Sequence, residues 1–393
     1  MLIQSRLFKK LDYTLLASVA MIILLGLIFI YSATKPTELL PVAGSVAKNA
    51  DPFSDVKRQM LWVFVGFSVM FTVFYLYYED LMKHVRFLYV INLIMLVAVI
   101  KFGISDLGAQ RWIEIGGFNF QPSEFSKLIL IICFAAFLSS RKKKLDRLRD
   151  LLPSFAFFGV PILLILKQPD LGTALVLLAI MFGMLFVSGA NPRLLIIIIV
   201  TVLVMLSVWI GAHLWLEANR GVTLWMPLKD YQLNRLIIFL DPWQDPTDAG
   251  YNVIQSQIAI GQGGFWGRGL FQGSQTHGDF LPIQETDFIF SVVGEELGFI
   301  GALTLLTLYF VVIYRCILIT INAKDDFGTL ITAGIVSMLT FHVLVNVGMT
   351  CGIMPVTGIP LPMFSYGGSS MITNLAALGL LLNINMRRQK ILF

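Results

Sequence analysis

The sequence contains few charged residues. Of its 393 residues only 13% are Asp, Glu, Lys or Arg, whereas 57% are hydrophobic. So little polar surface cannot cover a soluble globule of this size, and a mean hydropathy of +0.79 agrees with that. The composition therefore excludes a soluble domain and predicts an integral membrane protein.

Cysteine and histidine are also scarce. The three cysteines, Cys133, Cys316 and Cys351, lie in apolar segments without disulfide or metal-ligand spacing, which is typical of inert packing. The histidines are as scattered, which argues against a structural zinc site. They are His84, His213, His277 and His342.

Long apolar stretches dominate the chain. A membrane-spanning helix needs about 20 apolar residues, and ten stretches approach or exceed that length. We predict an all-α polytopic membrane protein that forms a single domain over residues 1–393. The first span is too long for a typical signal-peptide core, so we expect it to be retained. The spans lie at about 13–32, 59–78, 85–103, 123–140, 151–167, 170–189, 193–216, 287–314, 329–350 and 368–386, and the eighth is long enough to include an interfacial turn.

Positive charge is distributed unevenly among the loops. Cytoplasmic loops of membrane proteins carry an excess of Lys and Arg. With a cytoplasmic N-terminus, 17 of the 29 Lys and Arg residues fall on the cytoplasmic side. We therefore expect both termini in the cytoplasm, and this bias explains the net charge of +5 without a nucleic-acid partner. The cytoplasmic set is Arg6, Lys9, Lys10, Lys83, Arg86, Arg141, Lys142, Lys143, Lys144, Arg147, Arg149, Arg193, Arg315, Lys324, Arg387, Arg388 and Lys390.

Two loops have informative composition. The fourth outer loop, about 217–286, contains two amphipathic segments, 231–241 and 250–260, that we expect to be short helices on the membrane surface. Its glycine-rich part follows no strand and has no Walker lysine, so it is not a nucleotide loop. Residues 352–370 are rich in Pro and Gly. Such non-helical backbone is tolerated at membrane depth only where it is buried in protein or lines a wet cavity.

Polar residues crowd the connection between the third and fourth spans. Arg111 and Trp112 precede Glu124 and Lys127, which stand three apart and so lie on one helix face. A charge at membrane depth costs about 2.5–3.5 kcal/mol, so such residues usually pair and face a polar cavity. Because both lie near a helix end, snorkelling to the interface explains them equally well.

Four further acids lie at the start of a predicted span or within its first turns. Asp170 follows a Gln-Pro pair, where capping of the sixth helix is the commoner role. Asp287 opens the eighth span, where capping and a functional role are equally compatible with its position. Glu295 and Glu296 are adjacent inside that span, and at least one must face a polar cavity; we expect this to be Glu296.

Five separated segments together resemble the SEDS family of bacterial cell-shape, division and sporulation proteins. The ten spans and the large fourth outer loop match that family too, so the resemblance covers nearly the whole chain. MPVTGIPLP is more similar to the elongation branch, RodA, whereas DPW leans toward the division branch, FtsW. The segments are RWIEIGGFNFQPSEFSKL, KQPDLGTAL, DPWQDPTDAGYNVIQSQIAIGQGGFWGRGL, FLPIQETDFIFSVVGEELG and GIMPVTGIPLPMFSYGGSS.

The resemblance implies a peptidoglycan glycosyltransferase that polymerises lipid II at the outer face of the bacterial cytoplasmic membrane during cell elongation. It also implies a complex with a class B penicillin-binding protein, which crosslinks the strands. The family's essential acid falls on Asp287, in TDFIF. Its other functional positions fall on Arg111, Trp112, Glu124, Lys127 and Asp170.

The chain departs from the family pattern just before that acid. Many members have Glu and His in LPExHTDF, whereas this chain has Ile283 and Glu285 in those places. A role for that His in orienting the acid is therefore not carried over. Glu285 is expected to raise the pKa of Asp287 by like-charge repulsion if the two side chains approach.

These residues suggest a mechanism. Lipid II carries a polyprenyl diphosphate, and a β-linked glycan made from an α-linked donor requires inversion, which one base achieves in a single displacement. Asp287 is the candidate general base on the acceptor hydroxyl. Arg111 and Lys127, and also Arg235, are candidates to stabilise the departing diphosphate.

Two assignments stay open in this mechanism. Trp112 either stacks on a sugar or anchors the protein at the membrane interface. The sequence requires no cofactor, but Mg²⁺ or Mn²⁺ held by Asp287, Glu124 or Glu296 would serve the diphosphate as well.

Two other functions compete with this one. A flippase for the lipid-linked precursor would need polar residues along helices from one membrane face to the other, whereas the charges inside the spans gather toward the outer end. A non-catalytic scaffold for a penicillin-binding protein would make Asp287 dispensable.

Overall fold

Helices account for nearly all of the regular structure. The computed structural model describes residues 11–35, 53–106, 109–116, 118–141, 145–221, 230–247, 250–278 and 280–388. Predictions that concern the N-terminal cations Arg6, Lys9 and Lys10, the cations Lys142, Lys143 and Lys144, and Lys390 lie outside these residues. In chain order the helices are α1 (Tyr13–Thr34), α2 (Ser54–Tyr75), α3 (Tyr78–Leu81), α4 (Val85–Phe102), α5 (Pro122–Ser139), α6 (Leu148–Lys167), α7 (Leu171–Val187), α8 (Pro192–Arg220), α9 (Asp230–Leu240), α10 (Tyr251–Gly263), α11 (Ser274–His277), α12 (Ile289–Ile321), α13 (Asp326–Thr350) and α14 (Gly368–Met386).

Each of the ten predicted spans coincides with a long helix. In the described part of the chain, nine helical spans are long and apolar enough to cross a membrane, with α3, the 3₁₀ turn Met82–His84 and α4 forming one of them. The tenth, α7, is apolar but has only 17 residues. The prediction of an all-helical polytopic membrane protein is therefore confirmed.

The connections fall at two ends of the bundle. At one end, which we call the site end, Gln284 Nε2 donates to the carbonyl of Ala33 at 2.7 Å and ties the fourth outer loop to the end of α1. At the opposite end, Arg315 and Asp12 form an ion pair with a closest distance of 2.6 Å between α12 and the start of α1. Every described member of the cytoplasmic cation set lies in or near the connections of this opposite end.

The core is centred on α14. Within the most apolar stretch of each helix, 94% of α14 is buried inside the protein but only 6% of α8. Helix α2 approaches α14 closely because glycine at 379 leaves room for the backbone of Met70, and glycine at 66 leaves room for Leu375. Helix α8 is therefore a peripheral helix whose apolar surface faces the membrane.

A small antiparallel sheet occupies the connection between α4 and α5. Its strands are β1 (Ile104–Asp106), β2 (Ala109–Ile115) and β3 (Phe118–Phe120), in that order. The sequence predicted only a loop here, although Arg-Trp-Ile-Glu-Ile alternates as a strand does and Gly116 follows it with a φ of +60°. Packing of Phe118 on Trp62 of α2, at 4.1 Å between ring centroids, fixes the sheet to the bundle.

Helices α9 and α10 confirm the two short helices expected in the fourth outer loop. Helix α10 also packs against the bundle, which the prediction of a helix on the membrane surface did not include. Gly263 of α10 lies against the carbonyl of Gly294, and Ser256 lies 2.6 Å from Ser291 of α12 and donates to the carbonyl of Thr350 at 2.8 Å.

Helix α12 is interrupted at Gly298, which has φ +63° and ψ −158°. The interruption separates the carbonyls of Glu295 and Glu296 from their usual partners four residues later. The amides of Arg268 and Gly269 donate to them instead, at 3.0 Å each, while the amides of the next turn donate to the carbonyls of residues 264 and 265. The glycine-rich loop thereby supplies hydrogen-bond partners for the backbone groups that the interruption leaves unpaired. Backbone at membrane depth requires such partners.

The segment between α13 and α14, residues 351–367, is non-helical and largely buried. Tyr309 of α12 donates its hydroxyl to the carbonyl of Pro362 at 2.6 Å, and the ring of Phe364 lies 5.8 Å from that of Phe29. Of the two settings that tolerate such backbone, burial in protein and a wet cavity, these contacts favour the first.

Candidate functional site

Asp287 lies at the site end, two residues before the start of α12. Asn346 of α13 donates one amide group to two carbonyls, those of Asp287 at 2.9 Å and Ile359 at 2.8 Å. Ser365 donates its hydroxyl to the carbonyl of Thr286 at 2.7 Å. The backbone that carries Asp287 is therefore fixed to α13 and to the buried segment 351–367.

Two further contacts hold this segment in place. The amide of Tyr366 donates to the carbonyl of Glu285 at 2.9 Å. Gln59 of α2 accepts from the amide of Gly367 at 3.1 Å and donates to the carbonyl of Ser365 at 3.3 Å. Helix α13, the segment 351–367 and, through that segment, α2 thus fix the backbone that carries Asp287.

The electrostatic environment of Asp287 is mixed. Burial raises its pKa to about 6, because the ionised carboxylate loses water that the surrounding protein only partly replaces. Arg235 and Arg111 oppose that rise, whereas Glu285 and Asp170 add to it. The predicted effect of Glu285 on the pKa of Asp287 is therefore confirmed in direction. A carboxylate with this pKa is ionised at neutral pH and still basic enough to accept a proton.

Arg111 on β2 and Asp170 form one side of the site. An Nη atom of Arg111 lies 4.0 Å from an Asp170 oxygen, and the other donates to the carbonyl of Pro169. Asp170 caps α7 by accepting from the amide of Thr173 at 3.0 Å and from its hydroxyl at 2.8 Å, and it lies 3.4 Å from the hydroxyl of Ser123. Asp170 is thus both a helix cap and a neighbour of the arginine.

Glu124 and Lys127 of α5 form a buried ion pair at 2.8 Å. The Lys127 ammonium also lies 3.0 Å from Nε2 of His342, whose Nδ1 lies 2.8 Å from the carbonyl of Met338. Both charged side chains are almost completely buried, 2% and 5% exposed for the Lys and the Glu. The structure therefore favours inward pairing over snorkelling.

The Arg111–Asp170 pair and the Glu124–Lys127 pair belong to one polar region. Ser123, which contacts Asp170, immediately precedes Glu124. On α13, His342 and Asn346 are four residues apart and so lie on the same face, one turn from each other. His342 contacts Lys127, and Asn346 holds the backbone of Asp287. Helix α13 therefore links Asp287 to the buried ion pair, and the helix that carries this pair contacts Asp170 through Ser123.

Glu296 lies in a different place. It accepts from the hydroxyl of Ser32 on α1 and lies 3.6 Å from Nε2 of His277 on α11. Its neighbour Glu295 accepts from the amides of Gln275 and Thr276, at 2.7 and 3.0 Å. Both acids are fully buried and hold the fourth outer loop to α12, and neither is among the groups that shift the pKa of Asp287.

Arg235 and Trp112, which the sequence also singled out, differ in their relation to Asp287. Arg235 on α9 acts electrostatically on Asp287 and therefore lies in its vicinity. Trp112 is half-buried and pairs with Ile104 in the sheet. Successive strand residues point to opposite faces, which directs Trp112 away from the face that carries Arg111.

The three acids considered as metal ligands do not converge. Glu124 is paired with Lys127, Glu296 lies at the α1–α11 contact, and Asp287 is influenced electrostatically by Arg111 and Arg235. Among the residues that the structure describes, no group of three His, Cys, Asp or Glu side chains is placed to hold a metal ion. Those acids therefore do not fit a common Mg²⁺ or Mn²⁺ site, and no chemical step is assigned to one.

Sequence reasoning missed the residues that position the site. His342 and Asn346 are polar residues four apart on a largely apolar helix, which is the spacing of a polar stripe facing the bundle interior. Gln59 and Ser365 have no such pattern, because their partners lie about 300 residues away in the chain. The stripe was detectable from the sequence; the long-range contacts were not.

The fold and this site together define a class of protein: a helical multi-pass membrane protein with, at one end of the bundle, a carboxylate on which two arginines act electrostatically. The family model for cell cycle proteins of the FtsW, RodA and SpoVE type matches residues 13–390. The chain belongs to this family.

Curated relatives from both branches align over nearly the full chain. A probable peptidoglycan glycosyltransferase FtsW of Geobacter sp. (strain M18) is 37% identical over 96% of this chain and 97% of its own length. The peptidoglycan glycosyltransferase RodA of Treponema pallidum (strain Nichols) is 35% identical over 96% and 98%. Peptidoglycan glycosyltransferase MrdB of Escherichia coli (strain K12) is 40% identical over 77% and 78%. Identity at this level does not separate the branches.

Solved structures share the fold. One, described as showing structural coordination of polymerization and crosslinking by a peptidoglycan synthase complex, has a chain that matches with a TM-score of 0.75 and 31% identity, over 95% of this chain and 97% of that one. The rod shape determining protein RodA of Thermus thermophilus matches with a TM-score of 0.67 and 29% identity, over 97% and 98%.

Proposed function

We propose that this chain is a peptidoglycan glycosyltransferase that polymerises lipid II, with Asp287 as the general base. The observation that carries the proposal is the placement of Asp287, on a backbone fixed by α13 and residues 351–367, with a raised pKa and two arginines acting on it. The names of relatives that align over nearly the whole chain support the same activity.

Chain growth requires removal of a proton from an acceptor hydroxyl as that oxygen attacks the anomeric carbon of the donor. The bond from that carbon to the diphosphate oxygen breaks in the same step, and the diphosphate leaves with the electron pair. Asp287 takes the hydroxyl proton. A positioned base of suitable pKa contributes about 10² to 10⁴ in rate.

The leaving diphosphate carries concentrated negative charge, and arginine suits it because the guanidinium group donates several hydrogen bonds in a fixed fork. Arg111 and Arg235 both act electrostatically on Asp287, which supports a role for both in stabilising the departing diphosphate. Lys127 was a candidate for the same task. Its charge is already neutralised by Glu124 at 2.8 Å, which leaves the two arginines as the main diphosphate ligands.

The setting of this reaction is also a proposal. The opposite end carries the excess of cations, so we assign it to the cytoplasm, with both termini, and the site end to the outer face. The similarity to a chain of a peptidoglycan synthase complex supports a class B penicillin-binding protein as the partner. The MPVTGIPLP segment, residues 354–362, favours a role in cell elongation over division.

The decisive experiment uses purified protein with its partner and lipid II, and compares wild type with Asp287→Asn. The amide is isosteric but cannot accept the proton, so strand synthesis should fall at least about 10²-fold. Asp326→Asn, an exposed carboxylate at the opposite end, is the matched control and should leave the rate unchanged.

Each alternative function has its own outcome in this assay. Strand synthesis at the normal rate by Asp287→Asn would overturn the catalytic assignment and favour a scaffold for the penicillin-binding protein. Movement of labelled lipid II across vesicles, without polymerisation by the wild type, would instead indicate a flippase.

A further inference from the structure

Lys127 is held from two sides. Its ammonium group has three N–H donors, and the structure provides partners for two of them: an oxygen of Glu124 at 2.8 Å and Nε2 of His342 at 3.0 Å. With two donors fixed, the direction of the third is fixed as well. His342 therefore contributes to where the remaining N–H of Lys127 points.

The hydrogen bonds of His342 determine its protonation. The carbonyl of Met338 can only accept, so Nδ1 of His342, 2.8 Å away, must carry a proton. Nε2 faces an ammonium group, which can only donate, so it must present a lone pair. The imidazole is neutral in this arrangement and is the acceptor for Lys127.

Helix α13 connects this contact to Asp287. His342 lies one helical turn, about 6 Å along the axis, from Asn346, and Asn346 donates to the carbonyl of Asp287 at 2.9 Å. One rigid element thus sets both the position of the candidate base and that of the lysine. A side chain that serves only to fill space would not need an acceptor at this point.

We propose that His342 is a positioning residue: its neutral imidazole holds the Lys127 ammonium so that the remaining N–H, together with the unpaired oxygen of Glu124, receives a hydroxyl group of the sugar substrate. Oε2 of Glu124 is buried without a hydrogen-bond partner among the described residues. A hydroxyl both donates and accepts, which matches this donor and acceptor side by side. The pair carries no net charge and therefore suits a hydroxyl better than a diphosphate. The substrate assignment rests on the proposed function.

The test compares two replacements of His342 in the lipid II polymerisation assay. His342→Gln keeps an acceptor at a similar reach, whereas His342→Leu keeps similar bulk without one. We expect kcat/KM to fall by about 10- to 100-fold in the leucine variant and to stay within about threefold of wild type in the glutamine variant. Ser337→Ala, whose hydroxyl bonds only to its own helix, is the control on α13.

A double substitution shows whether His342 acts through Lys127. If it does, His342→Leu lowers kcat/KM no further in a Lys127→Met background. Equal losses in the glutamine and leucine variants, additive losses in the double variant, or wild-type activity in His342→Leu would each overturn the proposal. If Asp287→Asn in the same assay is fully active, the proposed function fails irrespective of these results.

Two further measurements complete the test. Inhibition by inorganic pyrophosphate should change by less than about threefold in His342→Leu, because no diphosphate ligand is lost; a tenfold change would contradict the hydroxyl assignment. If the leucine variant does not fold, ¹⁵N solid-state NMR can still test the proposal. The histidine signal that is present in wild type and absent in His342→Gln reports the protonation of the His342 imidazole. A neutral imidazole with its proton on Nδ1 is expected, and a proton on Nε2 would refute the proposal.

Discussion

Asp287 owes its properties to residues that are distant in the chain. Burial raises the pKa of its carboxyl group, the two arginines lower it, and Glu285 and Asp170 raise it. The result, about 6, lies just below neutral pH. A base with this pKa combines a high ionised fraction at pH 7 with a useful affinity for the proton, which an ordinary exposed aspartate lacks.

The activity should therefore depend on pH through Asp287. The group must be deprotonated to act, so kcat/KM should rise as pH increases through about 6. Glu285→Gln removes a neighbouring negative charge, which lowers the pKa of Asp287 and moves this rise to lower pH. Arg235→Gln removes a positive charge and moves it to higher pH. A pH–rate profile of polymerisation for the three proteins measures both shifts.

The opposite signs of these two pH shifts distinguish a change in the pKa of Asp287 from a change in substrate binding. A change in substrate binding alone would alter the height of both profiles without moving their midpoints in opposite directions. Midpoints that coincide in all three proteins would show that another group limits the rate at low pH, and the assignment of Asp287 as base would lose its main support.

At the residue scale, local spacing predicted part of this site. Glu124 and Lys127 stand three apart, so their shared face followed from helix geometry, and the structure pairs them at 2.8 Å. The contact of Lys127 with His342 spans 215 residues. No helical or strand periodicity encodes such a separation, so this contact emerged only from the packed bundle.

Among the elements, the long helices were the most predictable because each needs a run of apolar residues whose length the membrane sets. The sheet at 104–120 was missed because its strands are only three to seven residues long. Strands that short give too few alternations to separate from a loop. The position of α10 against α12 depends on a glycine-to-carbonyl approach at Gly263 and Gly294, which has no signature in sequence.

Helix α12 provides a test of how the fourth outer loop is held. Gly298 has a left-handed φ, and a Cβ there would lie 2.9 Å from the backbone carbon of Phe265 and still closer to the amide of Gly267. Gly298→Ala should therefore lower the free energy of unfolding by at least about 2 kcal/mol, since both backbone strain and the loop contact are affected. Thermal or denaturant unfolding in detergent measures the loss.

The matched control is Gly159→Ala, on the membrane helix α6. No atom lies within 4 Å of a Cβ built there, and alanine favours a helix over glycine by up to about 1 kcal/mol. We expect this variant to be as stable as wild type or slightly more so. Equal destabilisation by the two alanines would mean that the interruption of α12 is not a point of close loop contact.

For the whole molecule, the two ends of the bundle have different chemistry. The site end holds the buried acids and arginines together with most of the non-helical backbone. The opposite end holds ten described members of the cation set, namely Lys83, Arg86, Arg141, Arg147, Arg149, Arg193, Arg315, Lys324, Arg387 and Arg388. Because loops rich in Lys and Arg tend to stay in the cytoplasm, this asymmetry predicts that the opposite end is cytoplasmic. A substrate that is used outside the cell requires the site end to face outward.

Orientation can be measured with single reporter cysteines in a variant that lacks Cys133, Cys316 and Cys351. Gln272→Cys places an exposed thiol at the site end, and Asp146→Cys places one at the opposite end. In right-side-out membrane vesicles, a membrane-impermeant maleimide should label only the first, because an excess of cations predicts that the opposite end lies on the cytoplasmic side. Inside-out vesicles should reverse the pattern. If Asp146→Cys were labelled in right-side-out vesicles, Asp287 would face the cytoplasm, and polymerisation of an exported precursor at this site would be excluded.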